Sequence, residues 1–359
     1  MASFGGNPEI GGAVRLAEIH GQDRAVSALR RDISSDRLAP AYLFVGPESV
    51  GKFTTAVAFA GVLLCADRRE AQGGPDACGT CLTCRRVRGE AHPDLMVVRR
   101  DGQQIKIGEF ERKREEPPQI RQLIAAAQRR PFEGNRKVLM VDEAHRMNVS
   151  AANALLKTLE EPPADTVIIL TATTLGALPQ TVVSRCRVIR FRALDRSWLA
   201  SEIERVRGLS PEAARLLASF AEGRMDRALE ADPEEVAARR GKALELLDAG
   251  LEGRTAEVLK CVAGVGRPRE GAEALFDVFL TLVRDLCAVQ RGAPVDFLVH
   301  EDLAGEFKRR AGAYPRRTLE ALFERARSAR THVRVRNANP QLAWESLLLG
   351  SGSAMGIRG

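Results

Sequence analysis

The chain has 359 residues, and 54 lysines and arginines against 47 aspartates and glutamates give it a formal net charge of +7. With 45% hydrophobic and 28% charged residues it has an ordinary globular balance and length for two or three cores. No apolar run approaches the roughly 20 residues of a membrane span, and 5% aromatics is too few for a base-stacking single-strand platform.

Seven cysteines, an odd number behind a polar, Gly-rich N-terminus, argue against a disulfide framework and set a cytoplasmic location as the expectation. The basic excess permits a nucleic-acid-facing surface but is spread along the chain.

Taken in order, Leu16 onward carries His20-Gly21-Gln22 and then a helical spacing at Val26, Leu29 and Ile33. This is either an edge that packs on a nucleotide base or a plain first helix. The apolar run Tyr42 to Val45 ends in Gly46, Gly51-Lys52 follow, and Thr54 to Leu64 is apolar enough for a buried helix. Strand, glycine-framed turn and helix are the context of a phosphate-binding loop. Its backbone N–H groups and helix N-terminus attract an anion, and the lysine adds a point charge. Where GxxxxGK[ST] places a Mg²⁺-ligating hydroxyl, this chain has Phe53. Thr54 is the next residue, turned about 100° round the helix.

Cys78, Cys81 and Cys84 follow as CxxCxxC, with Cys65 thirteen positions before Cys78. Four thiolates at this spacing can enclose one structural Zn²⁺ with no open position. An Fe–S cluster and unmetallated buried thiols are the alternatives; His92 is redundant to a four-sulfur set.

Asp94 to Arg99 reads as a strand, Lys106 to Glu116 as a solvated charged loop, and Ile120 to Arg130 as a helix opened by Pro117-Pro118. Val138 to Val141 is a buried strand ending in Asp142-Glu143, at the sheet edge where α/β ligands bind. There Asp142 can hold Mg²⁺ and Glu143 can polarise water, or both are solvated acids.

A helix from Asn148 to Glu161 stops at Pro162-Pro163. The strand Val167 to Ala172 ends among Thr171, Thr173 and Thr174, of which Thr173 is the candidate nucleotide contact. Ser184-Arg185-Cys186 precede a strand at Val188 to Phe191. Alternating strands and helices predict a parallel α/β sheet to about residue 193. Beyond Leu194 the spacing is helical throughout, as in a bundle.

These residues resemble the bacterial clamp-loader subunits of DNA polymerase III, in the AAA+ superfamily, over nearly the whole chain. The resemblance rests on HGQ (20–22), GPESVGK (46–52), Cys65 with CGTCLTC (78–84), VDEAHRMN (141–148), ANALLKTLEEPP (152–163), TATT (171–174), SRC (184–186) and NANPQLAWE (337–345).

It implies an AAA+ α/β domain (1–193) with an inserted zinc module (65–84), a helical lid (194–236) and an all-α collar (237–359). Family members form a five-membered ring of delta, delta prime and gamma/tau subunits. The ring opens the sliding clamp and sets it on primer–template DNA, using ATP and Mg²⁺ at subunit interfaces, with no membrane involved. The resemblance gives Arg185 the role of a finger acting in trans on a neighbour's ATP.

Phe53 departs from the motor pattern. So does Gly223-Arg224-Met225-Asp226-Arg227-Ala228-Leu229, where Asp226 stands at the arginine of a GSxRDAL-like segment. Both favour the delta prime kind over the gamma/tau motor, although Lys52, Asp142 and Glu143 are retained.

Overall fold

The computed structural model describes residues 14–108, 118–263, 265 and 269–354. The polar N-terminal stretch 1–13 and the greater part of the expected charged loop, residues 109–116, lie outside the described residues. The chain divides into two compact units, Met1–Asp195 and Arg196–Gly359.

The strands of the first unit are β1 (Ala41–Val45), a short hairpin β2 (Arg69–Ala71) and β3 (Gly74–Asp76), β4 (Leu95–Val98), β5 (Lys137–Val141), β6 (Thr166–Ala172) and β7 (Arg187–Arg190). The five long-range partners form one parallel sheet in the order β4-β5-β6-β1-β7. The sequence order reverses around β1, so a crevice opens at the C-terminal ends of β1, β5 and β6. Every residue of β1, β5 and β6 is buried, which explains their unbroken apolar runs.

Helices α1 (Asp23–Ser34), α2 (Lys52–Leu64), α3 (Leu82–Arg88), α4 (Ile120–Ala127), α5 (Val149–Glu160) and α6 (Gln180–Val183) complete the unit. From Thr55 to Leu64, α2 is buried on every face, so it lacks a polar stripe. Gly61 lets the chain pass at Val14, whose carbonyl oxygen would lie 2.4 Å from an added Cβ.

Asn148 caps α5, its Oδ1 accepting from the N–H of Ala151 at 2.8 Å. Helix α4 ends three residues earlier than its apolar spacing predicts. The buried Lys137 ammonium donates to the carbonyls of Ala126 (2.6 Å) and Arg129 (2.7 Å), drawing the chain out of the helix. The β2–β3 hairpin was not expected; Gly73 and Gly74, both at positive φ, make its turn.

The second unit consists of α7 (Arg196–Arg207), α8 (Pro211–Phe220), α9 (Met225–Glu230), α10 (Pro233–Leu251), α11 (Thr255–Val262), α12 (Arg269–Gln290), α13 (Ala304–Ala313), α14 (Arg316–Arg336) and α15 (Pro340–Ala354). Ser210 and Asp232 cap α8 and α10 directly ahead of Pro211 and Pro233.

The NANPQLAWE segment makes a helix–helix turn and then a core anchor. Asn337 takes the left-handed position after α14, and Asn339 Oδ1 accepts from the N–H of Gln341 at 2.9 Å. Trp344 is fully buried, stacked 3.9 Å from Phe276 and edge-on to Phe279 at 5.1 Å. The helices fall in one compact unit, so a lid–collar division within it is a proposal.

Candidate functional site

The phosphate loop leaves β1 at Gly46, where an added Cβ would sit 2.6 Å from the carbonyl oxygen of Phe191. Only glycine lets β1 turn this close to the end of β7. Gly51, at φ +90°, starts α2, and Thr55 Oγ1 donates to its carbonyl at 2.7 Å. Gln22 stitches the loop down, its amide nitrogen donating to the carbonyls of Val50 (3.0 Å) and Arg192 (2.8 Å). The HGQ signature therefore acts structurally, through its glutamine. Lys52 is buried and donates to the carbonyl of Gly46 at 2.8 Å and to that of Pro47.

At the facing strand ends, Asp142 Oδ1 accepts from Thr171 Oγ1 at 2.7 Å, and the Glu143 N–H donates to Thr171 Oγ1 at 2.9 Å. Glu143 sits at φ +52°, an uncommon conformation for a side-chain-bearing residue. Its Oε2 is 2.8 Å from Arg100 Nε. Glu48, Glu143 and His145, all half-buried, bring their ligand atoms within 4.8 Å of one another. Burial pushes the His145 imidazole below its usual range, against the pull of Glu143 and Glu48.

Phe53 lies beneath Arg99, whose guanidinium carbon is 4.5 Å from the ring centroid. Arg99 also forms a two-pronged pair with Glu90 at 2.7 and 2.6 Å.

The loop thus fits a phosphate cradle, but Phe53 stands where the motif places its Mg²⁺-ligating hydroxyl. A hard cation needs oxygen ligands, and Phe53 supplies an aromatic face already covered by a cation. Thr54 is half-buried as the third residue of α2, and Thr173 lies just past the end of β6. The hydroxyl that meets Asp142 is that of Thr171. Arg99 and Arg100 were missed in the sequence; two arginines directly after the strand at Leu95 to Val98, at the ligand-binding edge, were the available signal.

The four cysteines converge as their spacing predicts. Cys65 follows α2, Cys78 follows the hairpin, and Cys81 is the N-cap of α3. Their sulfurs stand 4.0 Å (Cys65–Cys81), 3.8 Å (Cys78–Cys84) and 3.6 Å (Cys65–Cys84) apart. Tetrahedral Zn–S bonds of ~2.3 Å separate sulfurs by about 3.8 Å, so the donor set fits that ion.

Backbone N–H groups of Cys78, Cys81 and Cys84 point at the sulfurs of Cys65, Cys78 and Cys81, at 3.3 to 3.4 Å. Such donors from Cys81 and Thr80 bring the Cys78 thiol down to about 6, while burial pushes the Cys65 and Cys84 thiols up. His92 turns elsewhere, its Nδ1 accepting from the Asp94 N–H at 3.1 Å. Buried Asp76 ties the module to the N-terminal segment, accepting from the N–H groups of Leu16 and Ala17 and from Arg30, each at 2.8 Å.

Arg185, between α6 and β7, is one-third exposed. Its Nη2 is 2.6 Å from Glu160 Oε1, while Nη1 donates to the Thr181 carbonyl (2.8 Å) and Ser184 Oγ (3.3 Å). Beside it, burial pushes the Cys186 thiol up to about 12. In the second unit, Asp226 pairs with Arg224 at 2.7 Å and Arg227 with Glu222 at 3.4 Å.

Comparison with known proteins places this geometry. The family described as DNA polymerase III, delta subunit, matches residues 21–195. The delta' subunit of Bacillus subtilis is 30% identical over 294 residues, 81% of this chain and 84% of its own. The delta' subunit of Pseudomonas aeruginosa is 38% identical over 148 residues, 41% of this chain and 42% of its own. The tau subunit of Escherichia coli is 30% identical over 297 residues, covering 77% of this chain but 44% of its own length. A solved gamma-subunit-related protein of Thermotoga maritima aligns over 91% of this chain and 98% of its own at 18% identity, with a TM-score of 0.36 that carries no weight. The first unit is α/β, built on a five-stranded parallel sheet, and 30% identity with a delta' subunit across most of both lengths means that the chain belongs to the clamp-loader subunit family of DNA polymerase III.

Proposed function

We propose that the chain is a delta prime subunit: a stator of the clamp loader that hydrolyses little or no ATP itself and lends Arg185 to a neighbour's ATP. In this reading the second unit holds a lid (194–236) and a collar (237–359) that joins gamma/tau and delta subunits in a ring. The ring acts on the sliding clamp and primer–template DNA in the cytoplasm, at the nucleoid. The cysteine cluster carries a structural Zn²⁺.

One observation carries the reading. Where the motif places its Mg²⁺-ligating hydroxyl the loop carries Phe53, stacked beneath Arg99, and the neighbouring Glu143 is paired with Arg100. Asp226, an acid already paired with Arg224, supports it. The competing reading is a gamma/tau motor, favoured by the retained Lys52 and Asp142 and by the tau relatives.

Mg²⁺ separates the two. Titration with a fluorescent ATP analogue is expected to give the same affinity, or the same lack of binding, with Mg²⁺ and with chelator. Tightening by Mg²⁺ on the order of tenfold, about 1.4 kcal/mol, would overturn the stator reading.

A further inference from the structure

Helix α5 ends in a way that its own stability does not explain. Glu160 is its last residue and Glu161 its C-cap, with Lys157 the basic residue of that turn. The C-terminus of a helix carries partial negative charge, so carboxylates there are disfavoured unless something compensates them. For Glu160 the compensation is Arg185, at 2.6 Å.

The arginine is held on both sides. Nη1 is fixed to α6 through the Thr181 carbonyl and Ser184 Oγ, and Nη2 rests on the carboxylate. The first anchor holds one edge of the guanidinium while the second can exchange one oxyanion for another. A carboxylate and a phosphate offer a guanidinium the same kind of partner. The pair is open to solvent, with side-chain exposures of 33% for Arg185 and 48% for Glu160, and exposed pairs are weak and screened by salt.

We infer that Glu160 is a latch on Arg185: its carboxylate occupies the guanidinium in the free chain and competes with the neighbour's ATP phosphate for it in the assembled complex. Glu160 is thus a positioning residue, acting on ATP only through Arg185. The inference rests on the trans role proposed above.

The test uses the reconstituted clamp loader and the Kd of a non-hydrolysable ATP analogue at the site beside this chain. Glu160→Gln removes the competing charge and is expected to tighten that Kd about two- to fivefold near 50 mM salt, the range of an exposed pair. The gain should fade as salt approaches roughly 500 mM. In an Arg185→Ala background the same substitution should change nothing, whereas a packing effect would persist. The melting temperature of the free chain should not fall, since an acid leaves a helix C-terminus.

An unchanged or weaker Kd at low salt would overturn the latch, as would equal tightening without Arg185. Failure of the underlying reading looks different: Arg185→Ala alone would leave hydrolysis by the complex at the wild-type rate, and the latch would fall with it.

Discussion

Under the proposed trans role, Arg185→Ala is expected to leave the clamp loader assembled and to slow hydrolysis at the neighbouring site by about 10³-fold or more, the range known for arginine fingers. The reason is electrostatic. A guanidinium brought in from outside the pocket stabilises charge that develops on the transferring phosphoryl group. Arg185→Lys should rescue little, because an ammonium lacks the planar fork. In the proposed ring only one of several sites would depend on this chain, so single-turnover hydrolysis is the sensitive measurement. Wild-type single-turnover rates in an assembled Arg185→Ala complex would contradict the role. Assembly should survive, because Arg185 is partly exposed and its loss opens no cavity.

The second large effect concerns the cysteines. Cys84→Ser is expected to drop bound zinc from about one ion per chain to near none and to destabilise the first unit by several kcal/mol, read as a melting temperature lower by roughly 10 °C. Cys84 is fully buried, and its sulfur lies 3.6 and 3.8 Å from those of Cys65 and Cys78. Without the ion, the module loses what gathers the end of α2, the hairpin and α3. The damage should spread, because Asp76 in this module holds the Leu16–Ala17 backbone and Arg30 of α1. Zinc well below one equivalent in wild-type protein purified without chelator would reject the site.

Features whose residues are close in sequence could be read before the fold was known. Gly46, Gly51 and Lys52 lie within seven positions, and three of the four cysteines within the same span. The buried strands announced themselves because each is covered on both faces.

What escaped depends on which strand lies beside which. The β5–β6 register pairs Val141 with Leu170, which sets Asp142 opposite Thr171, while Thr173, the candidate nucleotide contact, lies just past the end of β6. Arg99 read as the end of a strand, Arg100 had no reading, and only the adjacency of β4 and β5 brings Arg100 to Glu143. Glu160 looked like one more surface acid at a helix end until α6 placed Arg185 against it. The hairpin went unread because its strands are three residues each and polar.

Phe53 gains a partner from this geometry. In the sequence it is a missing hydroxyl; in the fold its ring lies beneath Arg99, and Glu143 pairs with Arg100. In the proposed reading the loop is retained as architecture; Lys52 donates to its carbonyls.

That account is tested most directly by Lys52→Ala placed in this chain alone, within an otherwise wild-type reconstituted complex, with DNA-stimulated ATP hydrolysis as the readout. Hydrolysis should stay within about twofold of wild type, a difference of roughly 0.4 kcal/mol. A loss at this chain's own site as deep as the one Arg185→Ala causes at its neighbour's, in a complex that still assembles, would mean that the loop is an engine and the chain a motor.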